Sequence, residues 1–400
     1  MPGKGPVAVR RGSVLLCLWI LFLACGGAEK PAALSSASRQ RSPALRNALE
    51  RRMPLQMEDG VVKVAIVRNL AVGDHTRQFL ESCVSEGRAM GFTVDTFITG
   101  GDDERCRELI ARIAEADYDG LILSNGGAFT YDALKPLADR GIKAVTFDAL
   151  PYKNGVIAPG VTSTAQDDAK LAEISLEAIL SRFGKERPPR IIRVWFGPGI
   201  PPLDRRLEVY SRFLREGKIE ELALVGPPDF AFSRTGTREA LAAVLPLFPP
   251  GSVDALWAPY DEFAKGCADA LEAASRKDIK LISIDISNDD IRLMQDHGDL
   301  WLCTAAVDPG LIGAVNMRIL AAKFAGETAP ESYSFEGRLV ETAGLNRGVN
   351  MANMALTVPG WKDAKDPFGS YPWMEELKRA GGKYPGGGSG FSGGLNRSSR

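Results

Sequence analysis

The chain has 400 residues, 45% hydrophobic and 25% charged, with 49 basic against 50 acidic side chains and a net charge of −1. This is the balance of a globular protein long enough for two cores. It excludes a nucleic-acid binder, which needs a marked basic excess.

Lys4, Arg10 and Arg11 precede an apolar run over residues 14–24 that ends in Leu23-Ala24-Cys25-Gly26. A basic start, a short apolar core and a small residue before the cut make a secretory leader over residues 1–25. The run is shorter than the about 20 residues of a membrane span. A cysteine directly after Leu-Ala is where bacterial lipoproteins are cut and acylated, so Cys25 is the expected lipidation position. Phe22 departs from the leucine usual in that signal. Residues 26–60, rich in Ala, Ser, Arg and Pro, read as a flexible tether.

A regular alternation follows. A near-continuous β-branched strand over 61–67 suits a parallel sheet covered on both faces. A helix is predicted over 76–90, stopped by Gly91, then a strand over 92–97 and a helix over 103–116. Strands over 120–124 and 143–147 flank a helix over 131–140. Repeated strand–helix–strand units imply a parallel sheet with helices on both sides. The pattern then restarts: helix 166–183, strand 190–195, helix 204–216, strand 222–225, helix 238–245, strand 255–257, helix 262–274, strand 280–284. A helix over 309–324 is expected to return to the first unit. Residues 356–380 form a C-terminal extension, and the Gly- and Ser-rich residues 381–400 are expected to be disordered.

Cys83, Cys106, Cys267 and Cys303 each sit in an apolar stretch, which leaves both disulfides and buried thiols open. There is no Cys-x-x-Cys, and His75 and His297, the two histidines, are far apart. No zinc pattern follows, and no cofactor is expected. The acidic run over 285–290 lacks the central Gly and terminal Glu of an EF-hand loop and reads as a strand-to-helix turn.

Local signatures carry a resemblance. They are Asp119-Gly120-Leu121-Ile122-Leu123-Ser124, Gly141-Ile142-Lys143-Ala144-Val145-Thr146-Phe147-Asp148, Ala258-Pro259-Tyr260-Asp261-Glu262, Ser283-Ile284-Asp285 and Asp308-Pro309. With the leader, they make the chain resemble the type I periplasmic binding proteins of sugar-type ABC importers, the ribose-binding family, over roughly 61–350. The resemblance implies an α/β fold of two Rossmann-like lobes with parallel sheets, joined by a three-segment hinge. The N-lobe would be 61–161 and 307–337, and the C-lobe 162–306 and 338–355. The crossings would fall near Thr162-Ser163-Thr164, Ala306-Val307-Asp308 and Gly337-Arg338-Leu339. It also implies an exported receptor, in the periplasm or cell envelope, that captures a small polar solute and delivers it to an ABC permease of the inner membrane. Membrane contact would come only through a lipid on Cys25.

Open parallel sheets bind ligands at the carboxyl ends of their strands, a rule independent of the family. In the first unit it selects Arg68-Asn69, Asp74, His75, Ser124-Asn125 and Asp148. In the second it selects Trp195-Phe196, Asp204-Arg205-Arg206, Tyr260-Asp261 and Asp285. The expected ligand contacts are Asn69, His75, Asn125, Asp148 and Trp195, with Arg205, Arg206, Tyr260, Asp261 and Asp285. Carboxylates and guanidinium groups make paired hydrogen bonds to adjacent hydroxyls, and aromatic faces cover the apolar faces of a sugar ring. Each position has a competing structural role. Asp148 and Asp285 can cap a turn, the asparagines can shape turns, and Trp195 can be core. Three positions depart from ribose-type members: Tyr260 replaces Asn, Ala149 replaces Arg and Val307 replaces Gln.

Other classes are weighed on the same residues. A sensing partner of a membrane receptor kinase shares the fold. A repressor is disfavoured by the leader and by the lack of a basic helix-turn-helix before Val61. The chain is not expected to be an enzyme: a hydrolase needs a nucleophile beside a base, and no Gly-x-Ser-x-Gly elbow is present. Carboxylate pairs leave a secreted glycoside-acting enzyme as the remaining catalytic alternative.

Overall fold

Apolar, β-branched segments without alternation make strands that are buried on both faces, and two sheets are built mainly from such strands. The computed structural model describes residues 62–361, 368 and 371–380. The expected leader with Cys25, the tether and the Gly/Ser-rich tail lie outside the described residues. In the first unit β1 (Lys63–Arg68) is followed by α1 (Asp74–Ala89), β2 (Thr93–Ile98), α2 (Asp103–Glu115), β3 (Gly120–Ser124), α3 (Thr130–Asp139) and β4 (Lys143–Phe147). A short antiparallel hairpin, β5 (Tyr152–Lys153) and β6 (Val156–Ile157), precedes β7 (Val161–Gln166). The second unit holds α4 (Asp168–Phe183), β8 (Arg190–Val194), α5 (Pro201–Arg215), β9 (Glu220–Val225) and α6 (Ser233–Val244). It continues through β10 (Ala255–Ala258), α7 (Asp261–Ala273), β11 (Lys280–Ile284), α8 (Asn288–Asp296) and β12 (Trp301–Ala306). Last come α9 (Pro309–Phe324), β13 (Ser332–Phe335), β14 (Arg338–Glu341) and α10 (Pro372–Ala380).

The strands form two six-stranded sheets, ordered β13-β7-β4-β3-β1-β2 and β14-β12-β11-β10-β8-β9. All neighbours are parallel except β12 and β14. The chain passes between the sheets three times: after β7, between β12 and α9, and between β13 and β14. The first crossing corrects the sequence expectation. Thr162, Ser163 and Thr164 lie inside β7, registered on β4, and the chain leaves the first sheet only after Gln166. The segment Val-Thr-Ser-Thr-Ala-Gln has no apolar pattern, and its two threonine hydroxyls are satisfied inside the fold. Thr162 donates to the Pro330 carbonyl at 2.8 Å and Thr164 to the Thr146 carbonyl at 3.0 Å. At the third crossing Gly337 packs closely on α4, where an added Cβ would meet Leu171 Cδ2 at 2.2 Å and displace that side chain.

Helix α9 is apolar on nearly every side and packs on α1 of the first unit. Ser82 donates to the Gly310 carbonyl at 2.5 Å, and Gly313 allows the two backbones to approach. Helix α10, within the C-terminal extension, buries Trp373, Met374 and Leu377 in the same core and sets Lys378 Nζ 2.7 Å from Glu86 of α1. The four body cysteines are buried free thiols. Helix α5 begins at Pro201 rather than 204, because proline suits a first helical turn. Arg205 and Arg206 therefore lie a turn inside the helix. Ser287 caps α8 by accepting from the Asp290 amide, and among the described residues no His/Cys/Asp/Glu group is arranged to hold a metal.

Candidate functional site

The strand ends of both sheets border one interlobe cavity of about 300 Å3. Three of its lining residues, Asn125, Asp148 and Asp285, follow β3, β4 and β11 with φ of 62°, 47° and 75°. Only glycine, Asn and Asp enter this left-handed region readily. At these three strand ends the polar residue that turns the chain also lines the cavity.

Beneath lies an ionic floor. Arg206, 1% exposed, donates through Nε to Asp168 Oδ1 at 2.8 Å. Its Nη1 and Nη2 reach the two Asp285 oxygens at 2.8 and 3.0 Å, and Nη1 also reaches the Pro259 carbonyl at 2.6 Å. Burial alone would raise the Asp285 pKa, but the Arg206 charge and hydrogen bonds hold it below the usual carboxylate range. Asp285 also accepts from Gln166 Nε2 of the first lobe at 3.1 Å. Arg205 donates to Asp168 Oδ2 at 2.6 Å and crosses the cleft to Asp148 Oδ1 at 3.3 Å. Burial, with the Asp168 charge adding, pushes the Asp148 carboxyl up to about 7 against the pull of Arg205 and Arg206. A second web holds the cavity edge: Lys265 Nζ lies 3.5 Å from Asp261, 2.6 Å from Glu262 and 3.4 Å from Asp290.

Three buried polar atoms on the cavity residues have no partner: Arg68 Nε, His75 Nε2 and Gln166 Oε1. Arg68, the last residue of β1, donates to Ser124 Oγ at 2.5 Å and lies over the Phe79 ring at 4.9 Å. Burial, with the Arg68 charge adding, pushes the His75 pKa down to about 4, so the ring is neutral near pH 7. An unpaired buried polar atom costs about 1–3 kcal/mol. Beside these groups stands an aromatic wall. Tyr260 stacks on Phe230 with centroids 5.4 Å apart, and Phe263 meets Tyr260 edge-on at 5.3 Å.

Of the ten expected ligand contacts, His75, Asn125, Asp148, Arg206, Tyr260, Asp261 and Asp285 line the cavity. Three do not. Asn69 is satisfied within the protein: it donates to Asp103 at 2.7 Å and accepts from Thr99 at 2.6 Å, tying the β1 end to α2. Trp195 packs against the second-lobe core. Arg205 acts on the cavity only through Asp148 and Asp168. The signal for Arg68, which the expected contact set omits, was its place as the last residue of β1, whereas Gln166 ends β7, a strand that no sequence pattern marks. Phe230 opens a single 3-10 turn, Phe230–Phe232, with no motif to announce it.

Comparisons with known proteins agree with this architecture. The profile described as "Periplasmic binding protein domain" matches residues 64–328. A sugar ABC transporter from Yersinia enterocolitica subsp. enterocolitica is 37% identical with a TM-score of 0.76, covering 82% of this chain and 98% of its own. A 5-methylthioribose transporter solute binding protein from Thermotoga lettingae, solved with 5-methylthioribose, is 25% identical with a TM-score of 0.73, covering 82% of this chain and 99% of its own. A Mycobacterium smegmatis protein solved with β-D-fucofuranose shares the fold at 19% identity and a TM-score of 0.63, covering 76% of this chain and 97% of its own. The search of curated proteins found no match. Two parallel-sheet lobes, three crossings between them and a polar cavity at their strand ends accord with that profile, and the chain belongs to the periplasmic binding protein domain family.

Proposed function

We propose that this protein is an exported receptor that closes over a sugar-like solute and presents it to an ABC permease. The observation that supports it is the interlobe cavity, lined by Arg68, His75 and Asp148 of the first lobe and Arg206, Tyr260 and Asp285 of the second. A small, polar, hydroxyl-rich molecule fits that chemistry and the about 300 Å3 available. The Yersinia relative is described as a sugar ABC transporter, and the Thermotoga relative was solved with a modified ribose. Lipidation at Cys25 belongs to the same proposal and is read from the mass of the mature N-terminus.

The test is titration calorimetry of the purified protein against sugars and polyols, with Asp285→Asn alongside. Hydrogen bonds to charged groups contribute about 1.5–3 kcal/mol. The variant is therefore expected to bind its best ligand about 10- to 100-fold more weakly. A panel without a binder, or a variant that binds as wild type, removes the proposal. Calorimetry is preferable to tryptophan emission here, because Trp195 lies outside the cavity and Trp257 is core, donating to Ser175 at 2.9 Å.

A further inference from the structure

The cavity has a buried ionic floor and a mainly apolar flank, with Arg234 and Thr235 also at its exposed rim. Arg68, Asp148, Arg206 and Asp285 are each no more than 5% exposed. Val72 from the first lobe and Phe232 from the second, also lining residues, are 63% and 62% exposed and mark the mouth. Between them stand half-buried Phe230 and Tyr260. Their rings stack 17° from parallel and form an aromatic wall that is polar only at the Tyr260 hydroxyl. Ile200 and Leu203, at the start of α5, extend it.

A free sugar carries hydroxyls around its whole rim. Seated on the buried floor, it would leave the apolar flank formed by Ile200, Leu203 and Phe230 largely uncovered. We propose that the solute is a sugar bearing an apolar substituent, its hydroxylated ring on the floor and the substituent along Phe230 and Tyr260 toward the mouth. This rests on the sugar-receptor reading and narrows it to one class. The wall also accounts for an aromatic residue at position 260.

Calorimetry with D-ribose and D-galactose, each free and as a butyl ether at the anomeric or the terminal oxygen, tests it. Each buried methylene strengthens binding by about fourfold, so at least one substituted form should bind about tenfold more tightly than its parent. Phe230→Ala and Tyr260→Ala should each shrink that ratio to within about threefold, and the unfolding temperature of each variant checks that it is folded. A parent sugar that binds as tightly as every substituted form overturns this inference and leaves the receptor reading standing. Absence of binding by all six compounds counts against both. A preference that survives both substitutions places the substituent elsewhere and overturns the assignment to this wall.

Discussion

Two buried titratable groups in the cavity oppose each other. The folded protein keeps a proton on Asp148, pushed up to about 7 by burial, that the unfolded chain has already released. Stability contributed by Asp148 therefore falls as pH rises from about 4 to about 7. His75, pushed down to about 4, does the reverse. The unfolded imidazole takes a proton below about 6.5, and the folded one does not. Its contribution is complete above that pH and is lost as pH falls toward 4. Asp168, Arg205, Arg206 and Arg68 act on Asp148, while Arg68, Asp285, Lys265 and Arg206 act on His75. Asp148→Asn removes only the first effect. The variant's unfolding free energy should gain about 1–2 kcal/mol more than wild type between pH 5 and pH 7. Urea denaturation at the two pH values measures this, and equal gains would show that Asp148 titrates as an ordinary carboxyl.

Helices α1 and α8 meet across the cleft mainly through the Asp74 carboxylate, with Arg77 also 3.9 Å from Asp289. Asp74, in the first turn of α1, accepts from the backbone N–H groups of Asn288 and Asp289 at 2.9 and 3.4 Å. These amides open α8, where a helix has donors without internal partners and a positive dipole end. Arg77 and Gln78 hold the same carboxylate at 2.9 and 2.7 Å. Asp74 lies outside the cavity lining, so it acts on ligand through closure alone. Charge-assisted bonds of this kind contribute about 1–2 kcal/mol. Asp74→Ala should weaken sugar binding about 5- to 30-fold by calorimetry while keeping the unfolding temperature within about 2 °C. Unchanged affinity would mean that the latch does not contribute to the closed state.

Closure of the whole molecule rests on contacts that join the lobes at separate places. Gln166 reaches Asp285 and Arg205 reaches Asp148 at the floor, and Asp74 reaches α8 outside it. A solute shifts an open–closed equilibrium only through contacts it makes in the closed form alone, and here the cavity is lined from both lobes. With a binding sugar added, small-angle scattering should show the radius of gyration falling by about 1 Å, as expected for hinge closure. A ligand that binds without compaction would argue for a preformed cavity and against a hinged receptor.

The sequence by itself determined the alternating architecture. The segments 120–124, 143–147, 280–284 and 309–324, selected from β-branched runs and helical spacing, coincide with β3, β4, β11 and α9. That signal is local, since burial on both faces of a strand or along a helix is written in consecutive residues. Only the tertiary structure decided which polar strand-end residues are free for a ligand. Asn69 and Asp148 look alike in sequence, yet Asn69 is consumed by Thr99 and Asp103, whereas Asp148 lines the cavity. Strand β7 escaped for the same reason: its hydroxyls find partners such as Pro330, 168 residues away. Whether a polar atom is already satisfied depends on neighbours brought from far along the chain, and no local pattern records them.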